Sequence, residues 1–182
     1  MKQRLLFLGP PGAGKGTQAV KLAGSHDLLH LSTGDLLRNE VEAGSELGQA
    51  AAAVMARGEL VSDDLVLAIV RARLLSHRGG WLLDGFPRNL AQAEALDVLL
   101  TELGQQIELV VLLDVDEALL IQRLLSRGRA DDSEAVVRHR LGVYRDQTAA
   151  LIEHYRAQGL LQAVPATGSI DEIATSIRAL LE

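Results

Sequence analysis

The residues with the clearest chemical purpose follow the first apolar run of the chain, Arg4–Leu8. Segment 9–15 reads Gly-Pro-Pro-Gly-Ala-Gly-Lys and opens a stretch of helical period. Glycines let successive backbone N–H groups turn towards one anion, a helix start adds its positive end, and Lys15 adds a full charge. This G-x-x-x-x-G-K pattern between strand and helix predicts a phosphate-binding loop. The alternative is a glycine-rich turn with an exposed lysine.

A second candidate group lies at the end of another short apolar run. Trp81–Leu83 is followed by Asp84, then by Gly-Phe-Pro and Arg88. A carboxylate at the carboxyl end of a parallel strand beside a phosphate loop can hold the water shell of Mg²⁺. Asp84 could instead cap the following turn. Arg88 is a candidate for binding a second phosphate, because guanidinium groups bind phosphate oxygens in pairs, and the alternative is a surface arginine.

Arginines are concentrated in one later stretch of the chain. They are Arg123, Arg127, Arg129, Arg138, Arg140 and Arg145, with acidic residues among them. Such runs usually form a solvated helix with surface salt bridges. Phosphoryl transfer, however, depends on alignment and on cations around the transferring group. Arginines on a mobile segment would supply that charge and exclude water when the segment closes.

The elements that must position these residues alternate between short apolar runs and longer helical periods. The strands are predicted at Arg4–Leu8, Leu29–Leu31, Trp81–Leu83, Leu109–Leu113 and Leu161–Val164. The helices are predicted at Lys15–Ala23, Asp35–Ala43, Leu47–Ala56, Asp63–Leu75, Leu90–Leu103, Glu117–Ser126, Glu134–Ala157 and Ile170–Leu181. Asp63 and Asp116 are candidate helix caps, and Gly104 and Gly159 candidate stops. Strands that are apolar on both faces and separated by helices predict a three-layer α/β/α fold with a five-stranded parallel sheet.

Two stretches break this alternation and are candidates for moving parts. Segment 32–61 contains helical periods without a convincing strand, so we expect it to stand away from the sheet. Around 127–137 a polar turn interrupts a long helical region. We therefore predict a single domain, 1–182, that carries a helical insertion and a short lid.

Composition narrows the class of protein. The 182 residues suffice for one domain with a substantial core. A net charge of -6 disfavours a general nucleic-acid binder, and the absence of cysteine excludes disulfides and cysteine-ligated zinc. The start, Met1–Leu8, is too short for a signal-peptide core, and no run approaches the roughly 20 apolar residues that span a bilayer. We expect a soluble, cytoplasmic monomer that contacts neither nucleic acid nor membrane.

Three segments together resemble the adenylate kinase family. They are the loop Gly9–Gln18, the segment Leu31–Arg38 and the segment Asp84–Arg88. In the loop, Gly16 stands between Lys15 and Thr17, whereas the general pattern places Ser or Thr directly after the lysine. The resemblance spans essentially the whole chain. It implies that ATP is held by Gly12, Ala13, Gly14, Lys15, Gly16 and Thr17, with Asp84 orienting hydrated Mg²⁺ close to Thr17.

The resemblance also implies an AMP pocket. Its residues would be Thr33, Gly34, Arg38, Met55, Glu59, Val61, Gly85, Phe86, Arg88, Gln92, Arg129 and Arg140. Met55 and Val61 could equally be core residues. Thr33 and Gln92 match adenylate kinases, whereas UMP/CMP kinases typically carry alanine and asparagine at these two positions. Asn89, in contrast, is the residue that many UMP/CMP kinases carry. AMP is the expected acceptor, and another monophosphate or shikimate is the alternative.

The lid resembles that of short-lid members of the family. The insertion of long-lid members is absent between Arg127 and Arg129, as are the cysteines with which some of them bind zinc. The resemblance implies phosphate contacts from Arg123, Arg127, Arg129 and Arg140, and an adenine-contacting loop at Gly168. The implied catalytic residues are Lys15, Arg88, Arg123, Arg129 and Arg140. The expected reaction is the in-line transfer of a phosphoryl group from Mg·ATP to AMP, which gives two ADP. The alternative functions are a nucleotide-dependent switch or ATPase, and a nucleotide-binding scaffold without catalysis.

Overall fold

The backbone is organised around one parallel β-sheet. The computed structural model describes residues 1–59, 61–130 and 132–182, and describes only the backbone of Leu47. Within these residues the strands are β1 (Arg4–Leu8), β2 (Leu29–Ser32), β3 (Trp81–Asp84), β4 (Leu109–Asp114) and β5 (Leu161–Pro165). They pair in the order β2-β3-β1-β4-β5, and every pairing is parallel. The strand that precedes the glycine-rich loop is therefore the central one.

Helices cover both faces of the sheet. They are α1 (Lys15–His26), α2 (Thr33–Glu42), α3 (Glu46–Ala56), α4 (Asp63–Leu75), α5 (Leu90–Glu102), α6 (Glu117–Arg127), α7 (Glu134–Val143), α8 (Ala150–Ala157) and α9 (Ile170–Ala179). Successive side chains of a strand point to opposite faces. Leu5 and Phe7 accordingly pack in a core with α1, α6 and α9, whereas Leu6 and Leu8 pack in a second core with α4, α5 and α8. This is the predicted three-layer α/β/α fold.

Most helix starts are capped by a side chain. Ser32, Ser45, Asn89, Asp116, Ser133 and Ser169 each accept a hydrogen bond from the backbone N–H three residues on. No side chain caps the start of α1, α4 or α8, and at α1 the cap position is Gly14, within the glycine-rich loop. Free N–H groups at a helix start bind anions. The sequence thus leaves an anion site at the start of α1.

The structure corrects several predicted boundaries. Asp63 is the first residue of α4, and the cap position belongs to Ser62. The predicted helix Glu134–Ala157 is divided by a π-helical turn, Tyr144–Thr148. Apolar spacing did not reveal this division, because the buried positions on either side of it, Leu141 and Thr148, are seven residues apart, as in two turns of one uninterrupted helix. Gly104 and Gly159 follow α5 and α8 with φ of 63° and 71°, as predicted for helix stops.

The first segment that breaks the alternation contains two of the predicted helices, and the second contains the predicted polar turn. Helices α2 and α3 pack against one another at the carboxyl end of β2. The polar turn begins after α6 at Gly128 and ends where α7 begins. Leu60 in the first segment and Asp131 in the second lie outside the described residues, and the boundaries 32–61 and 127–137 stay predictions. No helix of the described chain is both long and apolar enough to cross a bilayer.

Candidate active site

The glycine-rich loop joins the carboxyl end of β1 to α1. Gly9, Gly12 and Gly14 have φ of 150°, 85° and 92°, values that side chains with a Cβ rarely adopt. The Nζ of Lys15 folds back over the loop and donates to the carbonyls of Gly9 and Pro10 at 2.8 and 3.2 Å. Burial lowers the pKa of Lys15 to about 8; Asp84 opposes this shift, and the charges of Arg88, Arg140 and Arg127 add to it. The loop is therefore a cationic, amide-rich surface.

Asp84 lies beside this loop, at the end of β3. Its carboxylate is buried, and a Cβ placed on Gly16 would lie 3.7 Å from its Oδ2. The Nε2 of His30, on the neighbouring strand β2, lies 3.6 Å from the same oxygen. Among the described residues no three His, Asp or Glu side chains form a metal-binding cluster. One carboxylate next to a phosphate loop suits Mg²⁺, which keeps several waters and shares its ligands with phosphates.

A wide cleft, here called the loop cleft, opens over the loop. It is lined by every residue predicted to bind ATP and by Asp84: Gly12, Ala13, Gly14, Lys15, Gly16, Thr17, Arg123, Arg127, Gly168 and Asp84. Arg129 and Arg140 line it too. The sheet, the polar turn and the loop before α9 thus converge on one space, although their sequences are far apart.

A smaller cavity, the acceptor cavity, lies between α2, α3, the start of α4 and the loop after β3. Its lining includes Thr33, Gly34, Arg38, Met55, Glu59, Val61, Gly85, Arg88, Gln92 and Arg140, all of them predicted acceptor residues. The remaining two predicted residues lie elsewhere. Phe86 is buried in the core, and Arg129 lines the loop cleft. Substrate contacts for all of these residues stay predictions.

The guanidinium of Arg88 is bonded to the loop that carries it. Its Nε donates to the Gly85 carbonyl at 2.7 Å. Gly85 has a φ of 88°, and a Cβ there would lie 3.0 Å from the Thr33 Oγ1 and 3.3 Å from the Arg88 Nη2. A glycine is therefore needed to bring these groups together. Burial, with Arg140 and Arg38 nearby, lowers the pKa of Arg88 to about 10 although Asp84 opposes the shift.

Arginines of the polar turn are gathered by a residue that the sequence did not single out, Asp132. Its side chain is 1% exposed and accepts from the Nε and Nη2 of Arg127 at 2.8 and 2.7 Å. It also accepts from the Nη1 of Arg140 at 3.1 Å and from the backbone N–H of Arg129 at 3.2 Å. Burial opposes ionisation of Asp132, but these donors outweigh it and hold its pKa below the usual range. Its place in the arginine-rich turn was the only signal in the sequence.

The other arginines of the cluster separate into two groups. Arg123 reaches across to the carbonyl of Ala166 at 2.9 Å while lining the loop cleft. Arg138 and Arg145 are more than half exposed and pair with Glu134 and Glu117, respectively. Their positions match surface salt bridges, the alternative that the sequence left open for the whole cluster.

The parallel sheet and this site define a class of protein. A phosphate loop at the carboxyl end of the central strand, next to a strand-end aspartate and opposite a cationic second cavity, is the arrangement of P-loop nucleotide kinases. Comparison with known proteins agrees. The family model described as adenylate kinase matches residues 7–160.

Similar proteins carry the same description over their whole length. The chain is 68% identical to an adenylate kinase of Synechococcus sp. (strain RCC307), with 100% of both chains covered. It is 69% identical to one of Prochlorococcus marinus (strain MIT 9313), with 97% of both covered, and 70% identical to one of Synechococcus sp. (strain CC9311), with 100% of both covered. This chain therefore belongs to the adenylate kinase family. It is an enzyme, a nucleoside-monophosphate kinase.

Proposed function

We propose that this enzyme reversibly transfers the γ-phosphoryl group of Mg·ATP to AMP, giving two molecules of ADP. The observation that carries the proposal is that Arg88 and Arg140 line both the loop cleft and the acceptor cavity. Two spaces that share their cations allow two phosphorylated substrates to meet end to end. Such a meeting permits direct in-line transfer without a covalent enzyme intermediate.

In this mechanism the protein aligns the substrates and neutralises their charge. The loop amides and Lys15 hold the β- and γ-phosphates of ATP, and Arg38 and Arg88 hold the phosphate of AMP. Arg123, Arg127, Arg129 and Arg140 surround the transferring group as the lid closes and excludes water. No general base is required, because an ionised phosphate oxygen of AMP is already a nucleophile.

Magnesium fits the donor set beside the loop. Asp84 would hold the water shell of a bound Mg²⁺, with Thr17 nearby, and the ion would supply positive charge to offset that of the ATP phosphates. The buried carboxylate of Asp84 next to the start of α1 supports this assignment. We expect Asp84→Asn to raise the Mg²⁺ concentration needed for half-maximal rate. Asp114→Asn, which changes an exposed carboxylate at the end of β4, should leave that concentration unchanged.

The choice of AMP rests on Thr33 and Gln92, which are buried and line the acceptor cavity. Asn89 was the residue that favoured UMP or CMP. Its side chain caps α5 by accepting from the backbone N–H of Gln92 at 2.9 Å, which accounts for an asparagine without reference to any base. We propose that the enzyme acts as a cytoplasmic monomer without zinc, since one chain supplies the lining of both spaces.

The direct test is ADP formation by the purified protein with Mg·ATP, with and without AMP. We expect AMP to accelerate ADP formation by orders of magnitude over CMP, UMP or no acceptor. Lys15→Ala and Arg88→Ala should depress turnover severely without unfolding the protein. Lys21→Ala and Arg145→Ala are matched controls, because both side chains form exposed salt bridges. ADP formation that is no faster with AMP than without it contradicts the proposal and would support an ATPase or a scaffold.

A bisubstrate mimic tests the joining of the two spaces. Two adenosines linked by five phosphates should bind far more tightly than ATP or AMP alone, because one molecule would occupy both spaces at their natural separation. Isothermal titration with the wild type and with Arg88→Ala would measure this. Affinity for the mimic no greater than that for ATP would contradict a shared reaction centre.

A further inference from the structure

Asp63, in the first turn of α4, contacts a residue of the acceptor cavity. Its Oδ1 accepts a hydrogen bond of 2.7 Å from the side-chain Nε2 of Gln92. Gln92 lies on α5 and is 2% exposed. Asp63 itself is exposed and lies outside the apolar cores. Packing therefore does not account for an aspartate at this position.

The other end of the same carboxamide is held as well. The Oε1 of Gln92 accepts a hydrogen bond of 2.7 Å from the backbone N–H of Arg88. A carboxylate can only accept hydrogen bonds, and a backbone N–H can only donate them. Rotating the amide by half a turn would place its oxygen against the carboxylate and its NH₂ against the N–H. The two partners thus define which end of Gln92 is oxygen and which is nitrogen.

This orientation bears on base recognition. With one bond made at each end, the amide of Gln92 keeps one N–H donor and one oxygen lone pair. A 6-aminopurine edge offers a ring-nitrogen acceptor beside an amino donor, whereas a 6-oxopurine edge offers a ring N–H beside a carbonyl. A freely rotating glutamine can pair with either edge by flipping. A glutamine held at both ends pairs well with only one of these two purine edges. Against the other edge, its N–H faces a donor and its oxygen faces an acceptor.

We infer that Asp63 is a specificity-determining positioning residue. By fixing the carboxamide of Gln92, it sets the acceptor cavity to take a 6-aminopurine monophosphate and to reject a 6-oxopurine monophosphate. Sites that leave polar groups unpaired with the wrong substrate discriminate strongly. This inference rests on the proposed function, since it requires the acceptor base to bind beside Gln92.

The experiment compares AMP with inosine monophosphate, which differs from AMP only at the edge in question. Asp63→Asn keeps the shape of the side chain but can donate as well as accept, so it no longer opposes the flipped amide. We expect the ratio of kcat/KM for AMP to that for inosine monophosphate to fall about tenfold, the effect of one hydrogen bond to a charged group. The change should lie mainly in KM, and Asp63→Glu should restore part of the ratio.

Asp64→Asn is the matched control, because Asp64 is exposed and carries the same charge in the same helical turn. In Asp64→Asn the ratio of kcat/KM for AMP to that for inosine monophosphate should equal that of the wild type. A merely structural role for Asp63 would lower both kcat/KM values in parallel and lower the melting temperature, leaving the ratio unchanged. An unchanged ratio in Asp63→Asn, with normal AMP turnover in the wild type, overturns the inference alone. Absence of AMP turnover in the wild type overturns the proposed function and this inference together.

Discussion

The hydroxyl of Thr148 donates a hydrogen bond of 2.6 Å to the backbone carbonyl of Arg88, a residue 60 positions earlier in the chain. Thr148 is buried and ends the π-helical turn that follows α7. The backbone of Arg88 is thus held on both sides, at its N–H by Gln92 and at its carbonyl by Thr148. Arg140, on the last turn of α7, lies beside the same arginine. The π-helical turn therefore joins the helix that follows the polar turn to the loop of the acceptor cavity.

Replacing Thr148 by Val removes this donor and keeps the shape of the side chain. The Arg88 carbonyl would lose its partner, and the loop that presents the guanidinium would loosen. We expect kcat/KM for AMP to fall about tenfold, the usual cost of leaving one buried polar group unpaired. Steady-state kinetics on Thr148→Val and Thr101→Val would measure this. Thr101 is a suitable control because its exposed hydroxyl donates within its own helix, to the backbone carbonyl of Asp97. Equal losses of kcat/KM in both variants would refute the role of Thr148.

Asp132 is expected to orient the arginines of the polar turn. In Asp132→Asn the bidentate pairing with Arg127 and the contact with Arg140 are lost in part, so both guanidinium groups shift. Displacement of charged groups by about 1 Å can slow catalysis about 100-fold, and we expect a loss of that order in kcat. Glu134→Gln, which alters an exposed carboxylate paired with Arg138, should change kcat little. Similar rates in the two variants would show that Asp132 does not position the arginines.

The same residue should make stability depend on acid pH. The pKa of Asp132 is below its usual value in the folded chain, so its ionised form is favoured by folding. The stabilisation is complete above the unfolded pKa of about 3.9 and is lost as pH falls through the folded value. We expect the melting temperature of the wild type to fall more steeply below about pH 4 than that of Asp132→Asn. Parallel melting curves in acid would contradict this linkage.

Lys15 should make nucleotide affinity depend on alkaline pH. Burial lowers its pKa to about 8, so it begins to lose its charge just above neutral pH. Because ATP needs the protonated lysine, we expect its affinity to fall about fivefold between pH 8 and pH 9. Titration calorimetry on the wild type, Lys15→Met and Lys21→Met would test this. The fall should disappear in Lys15→Met, and its persistence there would assign it to another group.

Close packing of α2 on α3 should make Gly48 intolerant of any side chain. A Cβ at Gly48 would lie 2.0 Å from the carbonyl oxygen of Glu40, so Gly48→Ala must push the two helices apart. We expect a loss of about 1–3 kcal/mol in the free energy of unfolding, as for other overpacked sites. Gly24, inside α1, meets no described atom within 4 Å, and Gly24→Ala should add about 0.5–1 kcal/mol. Urea denaturation would measure both; a neutral Gly48→Ala would contradict the packing.

Local spacing was enough to predict the phosphate loop and its neighbours. The loop needs only consecutive residues between a strand and a helix, so its pattern is visible in segment 9–15. Asp84 could be predicted beside it because the carboxyl ends of parallel strands meet at one edge, and the structure has its carboxylate next to Gly16. Which strands are neighbours was not predicted, since the order of strands depends on crossover connections rather than on the strands themselves.

The sequence by itself determined the elements, the three-layer fold and the residue types that surround two adjoining spaces, because periodicity and glycine-rich turns are short-range properties of the chain. Only the tertiary structure decided which polar groups hold the residues around these spaces in place. Asp63 meets Gln92, Thr148 meets Arg88, and Asp132 meets Arg140 through bonds between separate elements. No spacing rule encodes such pairs, because each depends on how whole helices pack on the sheet. The contacts that orient the side chains of the acceptor cavity could therefore be identified only from the tertiary structure.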